Sequence, residues 1–153
     1  MKKFNMTFAG LLAMGLFVLQ TPQLAKAQDA NTGCTMASIT GNFGFNFAGW
    51  NNVSGTYVPA ASVGKLIYSG TGSLSGTITS VTGGVVGLPS GFSGSYTINA
   101  DCTGAALITP EGSTTTAHFN MVASGQGSLI YFIQTDNGNT VSGTANRQGQ
   151  GPH

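Results

Sequence analysis

Residues 41–50, GNFGFNFAGW, place Phe43, Phe45 and Phe47 on alternate positions with Asn42, Gly44, Asn46 and Ala48 between them. A period of two is the mark of a strand with one face buried, because successive side chains leave a pleated chain on opposite sides. The same alternation recurs downstream. Phe92–Asn99 (FSGSYTIN) sets Phe92, Tyr96 and Ile98 on one face, and Thr114–Ala123 (TTTAHFNMVA) sets Phe119 and Met121 together, with His118 and Asn120 opposite. Ser62–Ser69, Ser73–Val81, Ala105–Thr109, Ser128–Thr135 and Thr140–Gln148 complete about eight predicted strands.

Turn chemistry separates them. Gly70-Thr71-Gly72, Asp101-Cys102-Thr103-Gly104, Pro110-Glu111-Gly112 and Ser124–Gly127 are short connections, and Asn137-Gly138 carries a tight-hairpin signal. Residues 51–60 and Thr82–Gly91 read as longer loops, the second with an apolar tip. Short connections favour sequential antiparallel pairing. The fold class is therefore all-β, a single small antiparallel up-and-down barrel of about eight strands, the number at which a barrel interior is just filled or holds one small ligand. Ser-Gly-Thr or Ser-Gly-Ser recurs at 54–56, 69–71, 75–77, 93–95 and 142–144. Glycine within a strand marks a bend, which a small barrel needs; a composition rich in both residues would also produce such pairs.

Ser128–Thr135 (SLIYFIQT) breaks the alternation: Leu129, Tyr131 and Ile133 share one face, assigned to the core, and Ile130 and Phe132 the other. A strand apolar on both sides is buried on both. Its outer face calls for a loop, the N-terminal segment or another copy of the chain, so a homo-oligomer is expected.

Ahead of the barrel, Lys2-Lys3, the apolar run Phe8–Leu19 and Ala25-Lys26-Ala27 have the form of a secretory signal cleaved before Gln28. The apolar run falls short of the ~20 residues a membrane helix wants. The expected parts are a signal peptide at 1–27, an N-terminal segment with Cys34 at 28–40, the barrel at 41–148 and a tail at 149–153. Cleavage would turn the formal charge of +1 negative, leaving Lys65 and Arg147 against Asp29, Asp101, Glu111 and Asp136. Two isolated cations cannot track phosphates, so nucleic acid is excluded as a partner, and with it anionic membrane surfaces. No membrane span follows the signal. The destination is secreted or periplasmic, where Cys34 and Cys102 would form a disulfide; two free thiols are the alternative.

Catalytic groups are few. His118 is the one histidine outside the tail, and no metal site or cofactor motif appears. His118 is read as solvated, with a role as acid or base at a cavity mouth as the alternative. Glu111 and Asp136 read as turn residues, Asp101 as a turn cap, and Lys65 and Arg147 as exterior charges. The aromatic residues Phe43, Phe45, Phe47, Tyr96, Phe119 and Tyr131 are assigned to the interior, as core or as the lining of a site for a small apolar ligand.

One set of stretches resembles a group of exported bacterial proteins. Gly94–Gly104 (GSYTINADCTG), Ile133–Asp136, Val141–Gln148 (VSGTANRQ) and the early Gly41–Phe45 carry the likeness, which covers most of residues 34–148. That group is similar to the allene oxide cyclase and dirigent type of eight-stranded barrel. The resemblance implies an apolar cavity and often a trimer. It carries no functional residues over, and Ser69–Gly72 lacks the acidic hairpin common in the group. The expected function is a non-enzymatic binding or surface-interaction module. The alternatives are a cyclase- or isomerase-like enzyme for a small apolar substrate and a structural envelope or matrix component.

Overall fold

The computed structural model describes residues 33–149. The proposed signal peptide, residues 28–32 of the N-terminal segment and the last four residues of the tail lie outside the described residues. The strands are β1 (Gly41–Val53), β2 (Thr56–Tyr68), β3 (Ser73–Thr82), β4 (Val85–Val86), β5 (Ser90–Ile98), β6 (Thr103–Pro110), β7 (Ala117–Ser124), β8 (Leu129–Gln134) and β9 (Thr140–Arg147). Every pairing is antiparallel, β9 returns to β1, and β2 pairs with β3. The result is a closed eight-stranded up-and-down barrel, with β4 as a short addition on β3. Closure leaves the eight barrel strands without a free edge.

Three local differences from the sequence expectation have plain causes. Residues 51–60 are strand, not loop: Trp50 pairs with Pro59 and Val53 with Thr56. Pro59 is tolerated because it lies in the part of the hairpin that extends beyond the β3 pairing, which begins at Ala60. Ser54 and Gly55 supply the turn with positive φ at both positions (51° and 87°). The loop 82–91 is likewise folded on itself, as Thr82 and Val85 pair across Gly83-Gly84. The seventh strand begins at Ala117, three residues later than expected.

Phe43, Phe45, Leu66, Tyr68, Leu74, Phe92, Tyr96, Ala106, Phe119, Met121, Ile130 and Ala145 turn inward and form the core. The expected alternation holds in β1, β5 and β7. In β8 it is inverted: Ile130 is fully buried and Phe132 packs on the core, while Tyr131 and Ile133 stand about half exposed. Register explains the inversion. Ile130 pairs with Ala123 and Ala145, and Phe132 with Gly143. Those small inward residues leave interior room for the β8 side chains beside them, and the Tyr131 hydroxyl remains in water.

The Ser-Gly repeats divide into two uses. Gly55 and Gly70 sit in turns with positive φ. Gly76, Gly94 and Gly143 are in strands, where a Cβ would run into the backbone oxygen of Lys65, Leu107 and Asn46 respectively. Adjacent strands approach closely there, which curves the sheet.

The N-terminal segment closes one end of the barrel. Cys34 and Cys102 are joined by a disulfide across a sequence separation of 68, a link worth ~4 kcal/mol in the chain-entropy account. Cys34 N–H donates to Ala100 O (3.1 Å), and the 3-10 turn Met36–Ile39 drives Ile39 to complete burial. Arg147 is not a free exterior charge. Its guanidinium donates to the carbonyls of Thr40, Ser38 (2.7 Å) and Gly127 (3.1 Å) and lies 4.9 Å from the Phe43 ring centroid. This segment plugs the barrel end and leaves the outer face of Tyr131 and Ile133 uncovered.

Candidate ligand cavity

Above that plug the interior is incompletely filled. A cavity of about 270 Å³ opens toward the far end, lined by inward residues of β1–β3 and β5–β8. Five of its lining residues are phenylalanines. Phe45 meets Phe47 (6.1 Å between centroids, stacked) and Phe92 (6.0 Å, edge-on), and Phe132 meets Phe47 (6.4 Å) and Phe119 (5.9 Å), both edge-on. Edge-on and offset contacts are the favoured arrangements of aromatic rings, so the wall is preorganised. Leu66, Ile78, Ala106, Ile108 and Ala117 add aliphatic surface, Asn51 and Gln134 are the amides on the lining, and Tyr68 and Met121 lie at its buried end. Inward residues such as Ala106 and Ala117 are small, and the space they leave is not taken up by neighbours.

The structure sorts the six aromatic candidates. Phe45, Phe47 and Phe119 line the cavity. Phe43 and Tyr96 are buried in the core cluster but are not part of the lining. Phe43 packs edge-on to Tyr68 at 5.3 Å, and the Tyr96 hydroxyl donates to Met36 O (3.2 Å) while accepting from Gly70 N–H (3.0 Å). Tyr131 is on the outside, 51% exposed. Sequence reasoning missed Phe132 through the inverted parity of β8. The candidate set also leaves out Phe92, Leu66, Tyr68 and Ile78, which line the cavity, although the alternation of Leu66, Tyr68 and Ile78 with Lys65, Ile67 and Thr77 carries the same signal used for β1.

Among the described residues, no Asp, Glu, Lys, Arg or His side chain lines this cavity. His118 is exposed, its Nδ1 2.6 Å from Asp136 Oδ1, and Asp136 Oδ2 accepts from the His118 amide (2.9 Å) and Gln134 Nε2 (2.8 Å). Partial desolvation acts to raise the Asp136 pKa, but the bonds from Gln134 and His118 outweigh it and hold the carboxyl below its ordinary value of 3.8. Asp101 is lowered too, by bonds from the Thr103 side chain and amide, and caps its turn as expected. Glu111 and Lys65 are exposed. Among the described residues, no three His, Cys, Asp or Glu side chains gather as a metal site would require.

A larger depression, about 620 Å³, lies on the outer face between Thr97, Thr103, Asn120, Val122, Tyr131 and Ile133. It is shallow and open to water, whereas the interior cavity is a deeper recess lined by apolar rings, the usual form of a small-molecule site.

No protein-family model matches this chain, and no curated protein matches it in sequence. Solved structures share its fold. A redesigned β-barrel aligns with a TM-score of 0.52 and 17% identity, over 76% of this chain and 99% of that one. A de novo designed fluorescence-activating β-barrel aligns at 0.51 and 13%, over 75% and 99%. A redesigned barrel, mFAP1, bound to DFHBI, aligns at 0.52 and 17%, over 74% and 98%. The chain has the small closed antiparallel barrel fold. At these identities the likeness is one of fold alone.

Proposed function

We propose that this chain is an exported, non-enzymatic binding module that holds a small apolar ligand inside its barrel. The observation that carries the proposal is the interior cavity walled by Phe45, Phe47, Phe92, Phe119 and Phe132. An apolar cavity in a folded core gives a ligand of matching shape packing contacts on every side. A structural relative, mFAP1, is bound to a small molecule, DFHBI, which supports a barrel of this size as a binding scaffold.

The signal-like residues 1–27 support export, and the Cys34–Cys102 disulfide is compatible with an oxidising environment. Kinship with allene oxide cyclase and dirigent-type barrels is part of the same proposal. It does not extend to catalysis, because His118 and Glu111 face away from the cavity. Self-association through the outer face of β7 and β8 belongs to this reading as well, since Val122, Tyr131 and Ile133 are uncovered there.

The test is titration of the purified chain with naphthalene, followed by the fluorescence of the hydrocarbon. Wild type binds it, and Ala117→Trp, which fills the lining, does not. Equal binding by both proteins would place the ligand elsewhere, and no binding by wild type would end the proposal.

A further inference from the structure

Tyr68 is the inward residue at the end of β2, 3% exposed, with its ring edge-on to Phe43 (5.3 Å) and Tyr96 (4.8 Å). Its hydroxyl reaches across the barrel to Met121 Sδ at 3.9 Å, and both residues line the buried end of the cavity. A thioether is a weak acceptor, and a buried tyrosine hydroxyl normally finds an oxygen. Tyr96 shows the contrast, with one good bond accepted and one donated. Around Tyr68 the cavity wall offers Leu66, Phe45 and Phe92, which have no side-chain acceptor. Burial, with Tyr96 beside it, pushes the Tyr68 pKa well above the ordinary tyrosine range, so the group is a neutral donor at any physiological pH.

We infer that Tyr68 is a ligand anchor: the molecule bound in this cavity is compact and mostly hydrocarbon, and carries a neutral hydrogen-bond acceptor, such as a ketone oxygen, that enters first and accepts a hydrogen bond from the Tyr68 hydroxyl. The inference rests on the binding reading above and adds the ligand's polarity and orientation. An anionic leading group is excluded because, among the described residues, no cation lines the cavity. Lys65 points out, and Arg147 is committed to the plug carbonyls. An unpaired carboxylate at that depth would carry a large desolvation cost. A 150 Å³ apolar cavity holds benzene, so 270 Å³ suits about ten to fifteen non-hydrogen atoms. At the other end of such a molecule, Asn51 and Gln134 can meet a second polar group, although the Gln134 amide nitrogen already serves Asp136.

Fluorene and fluorenone form the test pair, two rigid tricycles that differ by a ketone oxygen, titrated by calorimetry into wild type, Tyr68→Phe and Met121→Leu. Tyr68→Phe lowers fluorenone affinity by about tenfold and leaves fluorene within about twofold, the effect of one buried neutral hydrogen bond. Met121→Leu removes the competing sulfur and retains the fluorenone affinity. Fluorenone binding unchanged by Tyr68→Phe, or both ligands weakened equally, overturns the anchor while leaving the cavity reading intact. Neither ligand binding to wild type overturns the binding reading and the anchor with it.

Discussion

The Arg147 guanidinium sits 4.9 Å from the centre of the Phe43 ring and ties together three carbonyls, those of Ser38, Thr40 and Gly127. One side chain from the last strand thereby fastens the N-terminal plug and the β7–β8 turn to the first strand. Hydrogen bonds from a charged donor contribute ~1.5–3 kcal/mol each at most, and cation–π contact adds ~1 kcal/mol. Because these bonds share one donor group and are not additive, Arg147→Met is expected to lower stability by about 2–4 kcal/mol, read by urea denaturation. A loss below about 0.5 kcal/mol, typical of an exposed surface charge, would show that the clamp is not formed.

Strand glycines at the close approaches are expected to be intolerant of a methyl group. At Gly64 a Cβ would meet Thr77 O and lie 2.7 Å from two Phe45 ring carbons. Gly44 is the control, since its Cβ would approach the flexible Gln148 side chain at 3.1 Å. Gly64→Ala should cost about 2–3 kcal/mol and Gly44→Ala less than about 1 kcal/mol. Thermal denaturation of the two variants decides whether barrel curvature depends on these positions.

Much of this architecture was legible in residues 41–50, 92–99 and 114–123, because alternation with a strict period of two reports the buried face directly. The aromatic interior followed from the same signal. β8 was not legible by that rule. Ile130 and Phe132 are as apolar as Tyr131 and Ile133, so parity there is decided by the small partners Ala123, Ala145 and Gly143 on neighbouring strands. The plug role of Arg147 was also hidden, since it depends on contacts with residues more than a hundred positions earlier. The cavity itself depends on what is missing, the side-chain volume at positions such as Ala106 and Ala117, and a linear pattern does not sum volumes across strands.

Acid is expected to weaken the open end of the barrel through Asp136. Its folded pKa lies below the ordinary 3.8, so the unfolded chain takes up the proton first. The stabilisation is complete above about pH 4–5 and is lost as the pH falls through the folded value. Asp136→Asn should flatten the fall in Tm below pH 4 relative to wild type. An unchanged acid limb would assign the loss to another group.

Tyr131 and Ile133 pair with Val122 and Asn120 across the outside of β7 and β8, and leave a half-exposed apolar stripe. Single exposed hydrophobic residues are ordinary, whereas contiguous ones mark contact surfaces. Light scattering at micromolar protein is expected to show an oligomer that Tyr131→Ser shifts toward monomer. A wild-type monomer at that concentration removes the stripe from the account.

The proposed ligand site lies inside the barrel and not on its outer face. An NMR titration with naphthalene, monitoring methyl and aromatic side-chain signals, separates the two. Shifts are expected at Ile78, Ala106, Ile108, Ala117 and the five cavity phenylalanines, with Val122, Tyr131 and Ile133 unmoved. Shifts confined to Val122, Tyr131 and Ile133, the residues of the outer depression, would rule out the interior site.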